Sequence, residues 1–472
     1  MQPTSRQFHA NARAALENAT LQSSLARFQG GFTVKRAEAA AQLPEFEGLR
    51  DEAREIKNHT LAHLDHYLLK FEDAVVASGG TVHWCSDGAA AREAVLGILR
   101  DAGAERVTKS KSMIGEEIGL NDHLEKGGIT PVETDLGEYI IQLAGETPSH
   151  VIAPAVHKTR DEVADLFYEH HQKHGATRRL EEISDLVDEA RRMLRRRYQE
   201  ADAGITGANM LVAETGSAIV VTNEGNADLT EILPRTHIVL ATLEKVVPTM
   251  EDAATVLRVL ARTATGQEFS TYTTFATGPK REGDADGPSA FHVVLLDGGR
   301  SALLGSEFRE ILRCIKCGAC MNHCPVYGSV GGHAYGWVYP GPLGNVLTPG
   351  LVGIDEARYL PGASSFCGRC EAVCPMRIPL PGLMRRWREQ AHARRLNTWR
   401  ERQGLALWAW LARRPMLYRV ATGFAARLLR RRAGKRGRLS SLPGAAGWLV
   451  GRDMPAPEGR TFMARWAATR GR

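Results

Sequence analysis

Redox or metal chemistry in this 472-residue chain points first to its eight cysteines, seven of which fall between Cys314 and Cys374. The first group reads Cys314-x2-Cys317-x2-Cys320-x3-Cys324-Pro325, and the second Cys367-x2-Cys370-x3-Cys374-Pro375. Thiolates at i, i+3 and i+6 converge on one face of a tight turn, which is the ligand spacing of an iron–sulfur cluster. Proline after the last cysteine suits such a turn, because it stops local helix and withdraws one donor. Zinc prefers four N/S ligands in paired CxxC units and fits the triple run poorly. Structural disulfides need an oxidising compartment and are typical of small secreted domains.

In the run used by two-cluster ferredoxins the fourth cysteine ligates the other cluster. That pattern assigns Cys314, Cys317, Cys320 and Cys374 to one 4Fe–4S cluster, and Cys324, Cys367 and Cys370 to a second. The second set is one thiolate short, and the same spacing puts its missing ligand at Ser364. Either the serine oxygen, water, another side chain or a partner supplies the fourth ligand, or the cluster is 3Fe–4S. Tyr335, Trp337 and Tyr339 lie between the groups. They either shield a cluster from water or are simply core. Cys85 stands alone in a β-rich run and is expected to be a buried structural thiol. His170 and His174 have metal-ligand spacing on a helix, but no third ligand is placed to complete a site, and histidines near a helix C-terminus suit its dipole.

The elements that must position these residues divide the chain into four parts. Residues 1–48 read as an irregular or partly helical lead-in. Residues 49–300 alternate helix and strand, the pattern of an α/β domain with a mostly parallel sheet. There the apolar spacing predicts a helix over Leu49–Ala77 and strands at Thr81–Cys85, Ser149–Ala153, Ser217–Thr222, Thr236–Thr242 and Ala290–Leu296. Thr159 and Glu162 form a capping-box pair before a helix. Residues 301–385 read as short helices around the cysteines, with too long a gap between the two groups for a compact β-type ferredoxin. Residues 386–472 are expected to form a basic, Arg- and Trp-rich helical region.

Charge is uneven along the chain. From Pro381 to Arg472 there are 22 Lys and Arg against four acidic residues, although the whole chain is only +6. Such a tail can lie on an anionic membrane surface or dock on an acidic partner. Nucleic acid has little support beside cluster chemistry. The longest apolar candidate for a span, Gly404–Ala412, is nine residues, too short to cross a membrane. The first thirty residues have no apolar h-region. Reduced thiols without an export signal point to the cytoplasm, with peripheral contact at the inner face of the membrane as an open option.

No catalytic residue stands out. There is no GxGxxG after a strand, no GxxxxGK[ST] and no Gly-x-Ser-x-Gly, so neither standard nucleotide loop nor a serine hydrolase is indicated. Polar and glycine clusters at strand ends are where α/β sheets place ligands. Lys109, Lys111, Glu214 and Asn223 are the candidate pocket residues of that kind; the alternative is turns and caps.

Four stretches carry a family resemblance. They are KSKSMIGEEIGLN at Lys109–Asn121, ETDLGEYIIQLAGETPSHVIAPAVHK at Glu133–Lys158, AETGSAIVVTNEGN at Ala213–Asn226, and the run from Cys314 through HAYGWVYPGPLGNVLTP to SSFCGRCEAVCP. Over nearly its whole length the chain resembles the lactate utilization protein B family, the iron–sulfur component of a three-component bacterial L-lactate oxidation system. The resemblance implies an LUD domain of NagB/RpiA/CoA-transferase-like fold and two 4Fe–4S clusters. It implies electron relay in the conversion of L-lactate to pyruvate. It also implies two partners, a second cysteine-rich iron–sulfur protein and a small LUD-domain protein. A second motif with three cysteines is itself a family feature.

A rival reading makes the α/β domain an enzyme for a small carboxylate or thioester, as in its fold relatives, with structural or regulatory clusters. A third uses the open iron position as a Lewis acid toward a hydroxy acid.

Overall fold

The computed structural model describes residues 3–175, 178–442, 449 and 453–470. Two compact units make up the chain, Met1–Ala391 and His392–Arg472.

In the larger unit the strands are β1 (Thr81–Cys85), β2 (Arg106–Lys109), β3 (Thr130–Glu133), β4 (Ala203–Gly207), β5 (Met210–Val212), β6 (Ser217–Thr222), β7 (Thr236–Thr242), β8 (Val246–Val247), β9 (Tyr272–Ala276) and β10 (Ala290–Leu296). Six of them form one sheet in the order β1-β10-β7-β4-β2-β3. Every pairing in it is parallel, with Thr81 beside His292 and Val107 beside Ala203. Strand β7 is buried at every residue, as a central parallel strand covered on both faces must be. One face packs on Val95, Leu99, Leu120 and Leu124, the other on Leu68, Phe71 and Val75. A smaller sheet runs β8-β5-β6-β9.

The strand order sets the place of the site. After β2 the chain moves outward to β3, and after β4 it moves the opposite way toward β7. Strands β2 and β4 are neighbours, so their following connections diverge and leave a crevice at their C-terminal ends.

Two sequence expectations are corrected and a third is sharpened. The helix over Leu49–Ala77 is two helices, Phe46–Ala62 and Leu64–Ala77, parted at His63 with φ −128° and ψ 38°. The break lets the first helix reach the cluster turns through Arg50, while Leu68, Phe71 and Val75 of the second cover the sheet. Ser149–Ala153 is no strand. The backbone N–H groups of Ile152 and Ala153 donate to Nδ1 of His150, at 3.0 and 3.1 Å, instead of to a neighbouring strand. The lead-in is largely helical, over Phe8–Glu17 and Ala19–Ala41. It packs on the cysteine-bearing part: the Ser5 hydroxyl donates to the Tyr335 carbonyl at 2.9 Å, and Gln22 donates to the Ser329 carbonyl at 2.8 Å.

In the smaller unit, helices Trp399–Ala412 and Pro415–Ala433 pack on each other, the first opened by a Thr398–Glu401 capping box. Trp399, Trp408, Val420 and Phe424 stay exposed. Trp448 lies outside the described residues, as does the side chain of His174. Among the described residues no helix is long and apolar enough to cross a membrane.

Candidate iron–sulfur site and its neighbouring cavity

The two cysteine groups fold into the same turn. In the first, Lys316 has φ +56° and its N–H donates to Sγ of Cys314 at 3.4 Å. Gly318, with φ +73° and ψ −8°, then opens the short helix Ala319–Asn322. In the second, Phe366 has φ +52° and its N–H donates to Oγ of Ser364 at 3.0 Å. Gly368, with φ +78° and ψ −7°, opens the helix Arg369–Ala372. The left-handed glycine is needed in both, since it turns the chain from the cysteine pair into the helix. Position for position, Ser364 stands where the first turn has Cys314.

Surroundings separate the two groups. Cys314, Cys317, Cys320 and Cys374 line one small cavity with Leu343, Met376 and Ile378. Burial pushes the Cys314 thiol up to about 11, against the N–H of Lys316, which favours the thiolate. Four sulfurs in one apolar pocket form the donor set of a cubane cluster and fit iron well. Cationic groups lie alongside: the buried Arg50 donates to the carbonyls of Ala372 and Cys374 at 2.8 and 2.7 Å, and Arg36 to that of Val373 at 3.0 Å.

In the other group Cys324 and Cys370 are buried but Cys367 is exposed. Burial, with Cys324 and Cys367 nearby, pushes the Cys370 thiol up to about 12. The Cys367 thiol moves the other way, lowered by the Ser365 hydroxyl and the Arg369 N–H. Three thiols fit an iron–sulfur group with one weaker or open position, and Ser364 stands in the turn at the place equivalent to Cys314. Tyr335 is fully buried against Phe8 and Tyr327 in the same apolar cluster as Cys324.

The α/β domain holds the first turn by buried charge. Arg300, 1 % exposed, makes a two-pronged pair with Glu117 at 2.9 and 2.7 Å and reaches Glu244 at 3.2 Å. Tyr339 donates to Glu117 at 2.5 Å, and the Lys316 ammonium lies 3.8 Å from Glu244. Burial opposes the charge on Glu244, yet Arg300, Lys316 and Lys245 hold it down at about 2. A second tie runs through His150, whose Nε2 lies 2.9 Å from Oδ1 of Asn322. With Nδ1 accepting from two backbone N–H groups, Nε2 carries the proton and the ring is neutral. Burial, with Lys111 nearby, pushes its pKa down to about 3.

A cavity of about 240 Å³ lies at the β2–β4 crevice. Its walls come from the loop after β2 (Ser110, Lys111, Ser112), the end of β4 (Gly207, Asn209), Lys245 after β7, and the turn Ile315, Lys316, Cys317. Of the pocket residues expected from sequence, Lys111 and Asn223 line it. Lys109 and Glu214 do not. Lys109 is fully buried, 2.7 Å from Glu133 and 3.5 Å from Glu116, and its charge is held by those carboxylates against burial. Glu214 is exposed and accepts from the N–H of Met250 at the start of a helix. Lys245 and Lys316 escaped the sequence reading. Lys245 follows a strand end and so carried a positional signal; Lys316 was hidden inside the cysteine motif.

Residues 68–296 match the sequence profile of the LUD domain, and residues 310–378 that of the 4Fe-4S dicluster domain. Fold and cysteine groups thus define an iron–sulfur protein in which an LUD α/β domain carries a dicluster domain. The chain is 41% identical over 465 residues to lactate utilization protein B of Lysinibacillus sphaericus, with 98% of this chain and 97% of that one covered. It is 41% identical to lactate utilization protein B of Geobacillus kaustophilus, at 98% and 97% coverage. To the uncharacterized electron transport protein YkgF of Escherichia coli it is 38% identical, at 97% and 95% coverage. The chain belongs to the lactate utilization protein B family.

Proposed function

We propose that this chain relays electrons in the oxidation of L-lactate to pyruvate, through two iron–sulfur clusters of the 4Fe–4S type. One cluster is held by Cys314, Cys317, Cys320 and Cys374. The other is held by Cys324, Cys367 and Cys370, with Ser364 at the fourth position. The single observation behind the reading is that thiols from both motifs meet in one apolar cavity, while of the remaining three Cys324 and Cys370 are buried and Cys367 is exposed. In this assignment each group takes one ligand from the other's motif, Cys374 joining the first and Cys324 the second, which is the ligand order of a two-cluster relay. The open edge at Cys367 suits exchange with a partner, and the apolar pocket of the first group, where Cys317 and Cys374 are buried and Cys314 and Cys320 half-buried, suits a carrier with less access to water. A second cysteine-rich iron–sulfur protein and a small LUD-domain protein are the partners in this reading. Exposed tryptophans on Arg-flanked helices of the tail support peripheral contact with an anionic membrane surface.

The test is anaerobic electron paramagnetic resonance on the chain co-purified with both partners. L-lactate, and not D-lactate, should produce reduced-cluster signals, and Cys317→Ser should abolish lactate-dependent electron flow while the α/β domain stays folded. Clusters reducible by dithionite yet silent to L-lactate would end the relay reading.

A further inference from the structure

We propose that the cavity at the β2–β4 crevice binds a small 2-hydroxy- or 2-oxocarboxylate, held by Lys111, Lys245 and Lys316 against the turn that carries Cys317. The choice of acid rests on the relay reading; the site itself does not.

Three observations carry the proposal. The first is place. Open parallel sheets bind ligands outside the C-terminal ends of strands where the connections diverge, and that point here lies between β2 and β4. The second is charge. Three lysines line the cavity against Asp135 and Glu224, the Lys316 ammonium also lying 3.3 Å from the Tyr339 hydroxyl and 3.8 Å from Glu244. Asp135 is already engaged as a helix cap, accepting from the Glu138 N–H at 3.1 Å. Lys111 donates to the Ile152 carbonyl at 2.5 Å and Lys245 to that of Ala208. An ammonium has three donors, so each of these carbonyls fixes the side chain and leaves donors for an anion. The third is size and lining. A volume of about 240 Å³ admits an acid of a few carbons, and Ile152 and Leu260 offer an apolar wall for its alkyl end.

Position gives the site its meaning. Cys317 lines this cavity and also the pocket of the four gathered thiols. A ligand in the one and a cluster in the other would share a single turn of backbone. This places substrate binding on the α/β domain of the cluster-bearing chain itself.

The experiment uses the full chain purified anaerobically with its clusters. Calorimetric titration with L-lactate, pyruvate and oxalate should show saturable binding at millimolar or lower concentration. The spectrum of the dithionite-reduced protein should shift when oxalate is added. Lys245→Met should weaken oxalate binding by about tenfold or more, the loss of one charge-assisted hydrogen bond. Glu224→Gln, at the exposed rim, should tighten it by about two- to threefold, since a like charge is removed. If Lys245→Met loses its cluster absorbance, the wild-type titration and Glu224→Gln decide.

Absence of saturable carboxylate binding to the wild-type protein would overturn the proposal. So would unchanged affinity in a cluster-bearing Lys245→Met, weaker binding in Glu224→Gln, or binding of a coenzyme A thioester in place of the acids. Failure of the relay reading looks different: acids bind, yet L-lactate leaves the clusters oxidised in the presence of the partners.

Discussion

The Cys314 turn and the Ser364 turn share one backbone and differ in almost everything around it. Both have a left-handed residue before the second cysteine position and a left-handed glycine after it. The first is closed over by Leu343, Met376 and Ile378 and tied to the α/β domain through Lys316 and Glu244. The second has an oxygen where the first has a sulfur, and its Cys367 is open to solvent. Local geometry is thus set by the turn itself, while ligand strength and solvent access are set by what packs on it. Solvent exposure and hydrogen bonding tune cluster potential, so two similar turns can hold clusters with different roles.

The largest effect tests whether the two groups really cross. Cys374→Ser should remove about half the iron and the signal of the cluster built on the first motif, leaving the other. Loss of the Cys367-side cluster instead would reverse the assignment. Next comes the tie to the α/β domain. Arg300→Met leaves Glu117 and Glu244 buried without their main cation, and should lower stability by about 3–5 kcal/mol in chemical unfolding. It should disturb the first cluster's spectrum and spare the second's; equal disturbance of both would deny that the tie is specific to the first turn.

A smaller contrast concerns access. In cluster-free protein, iodoacetamide should alkylate Cys367 about tenfold or more faster than Cys317, as read by mass spectrometry of the peptides. Comparable rates would mean that the second turn is as sealed as the first. The smallest effect is expected from Ser364→Cys. It puts a thiolate in place of the serine oxygen on an unchanged backbone, and should shift the reduced signal of that cluster with little change in stability. An unaltered spectrum would place the fourth ligand elsewhere.

Much of the scaffold was legible before any coordinates. The strands at Thr81–Cys85, Ser217–Thr222, Thr236–Thr242 and Ala290–Leu296 have the bounds that their sequence predicts, because each is a short β-rich run between turn residues, whether parallel and central as at Thr236–Thr242 or antiparallel as at Ser217–Thr222. The same rule misled at Ser149–Ala153, where a histidine side chain takes the backbone donors that a strand would share. The extent of helix in the lead-in was not legible, because that segment is held by residues more than 300 positions away. Lys109 looked like a pocket residue because its neighbours are polar; in the folded chain those neighbours are the carboxylates that neutralise it.

What the sequence by itself determined is local and chemical. Sulfur ligands, their order and the tight turns that carry them lie within a few residues of one another, so spacing alone expresses them. The basic character of the tail is likewise a property of composition. Only the tertiary structure decided which thiols are buried, that Arg300 and Glu244 tie the first turn to the sheet, and that Cys317 backs onto a lysine-lined cavity. Burial and charge pairing depend on groups brought from distant parts of the chain, and no spacing within a motif encodes them.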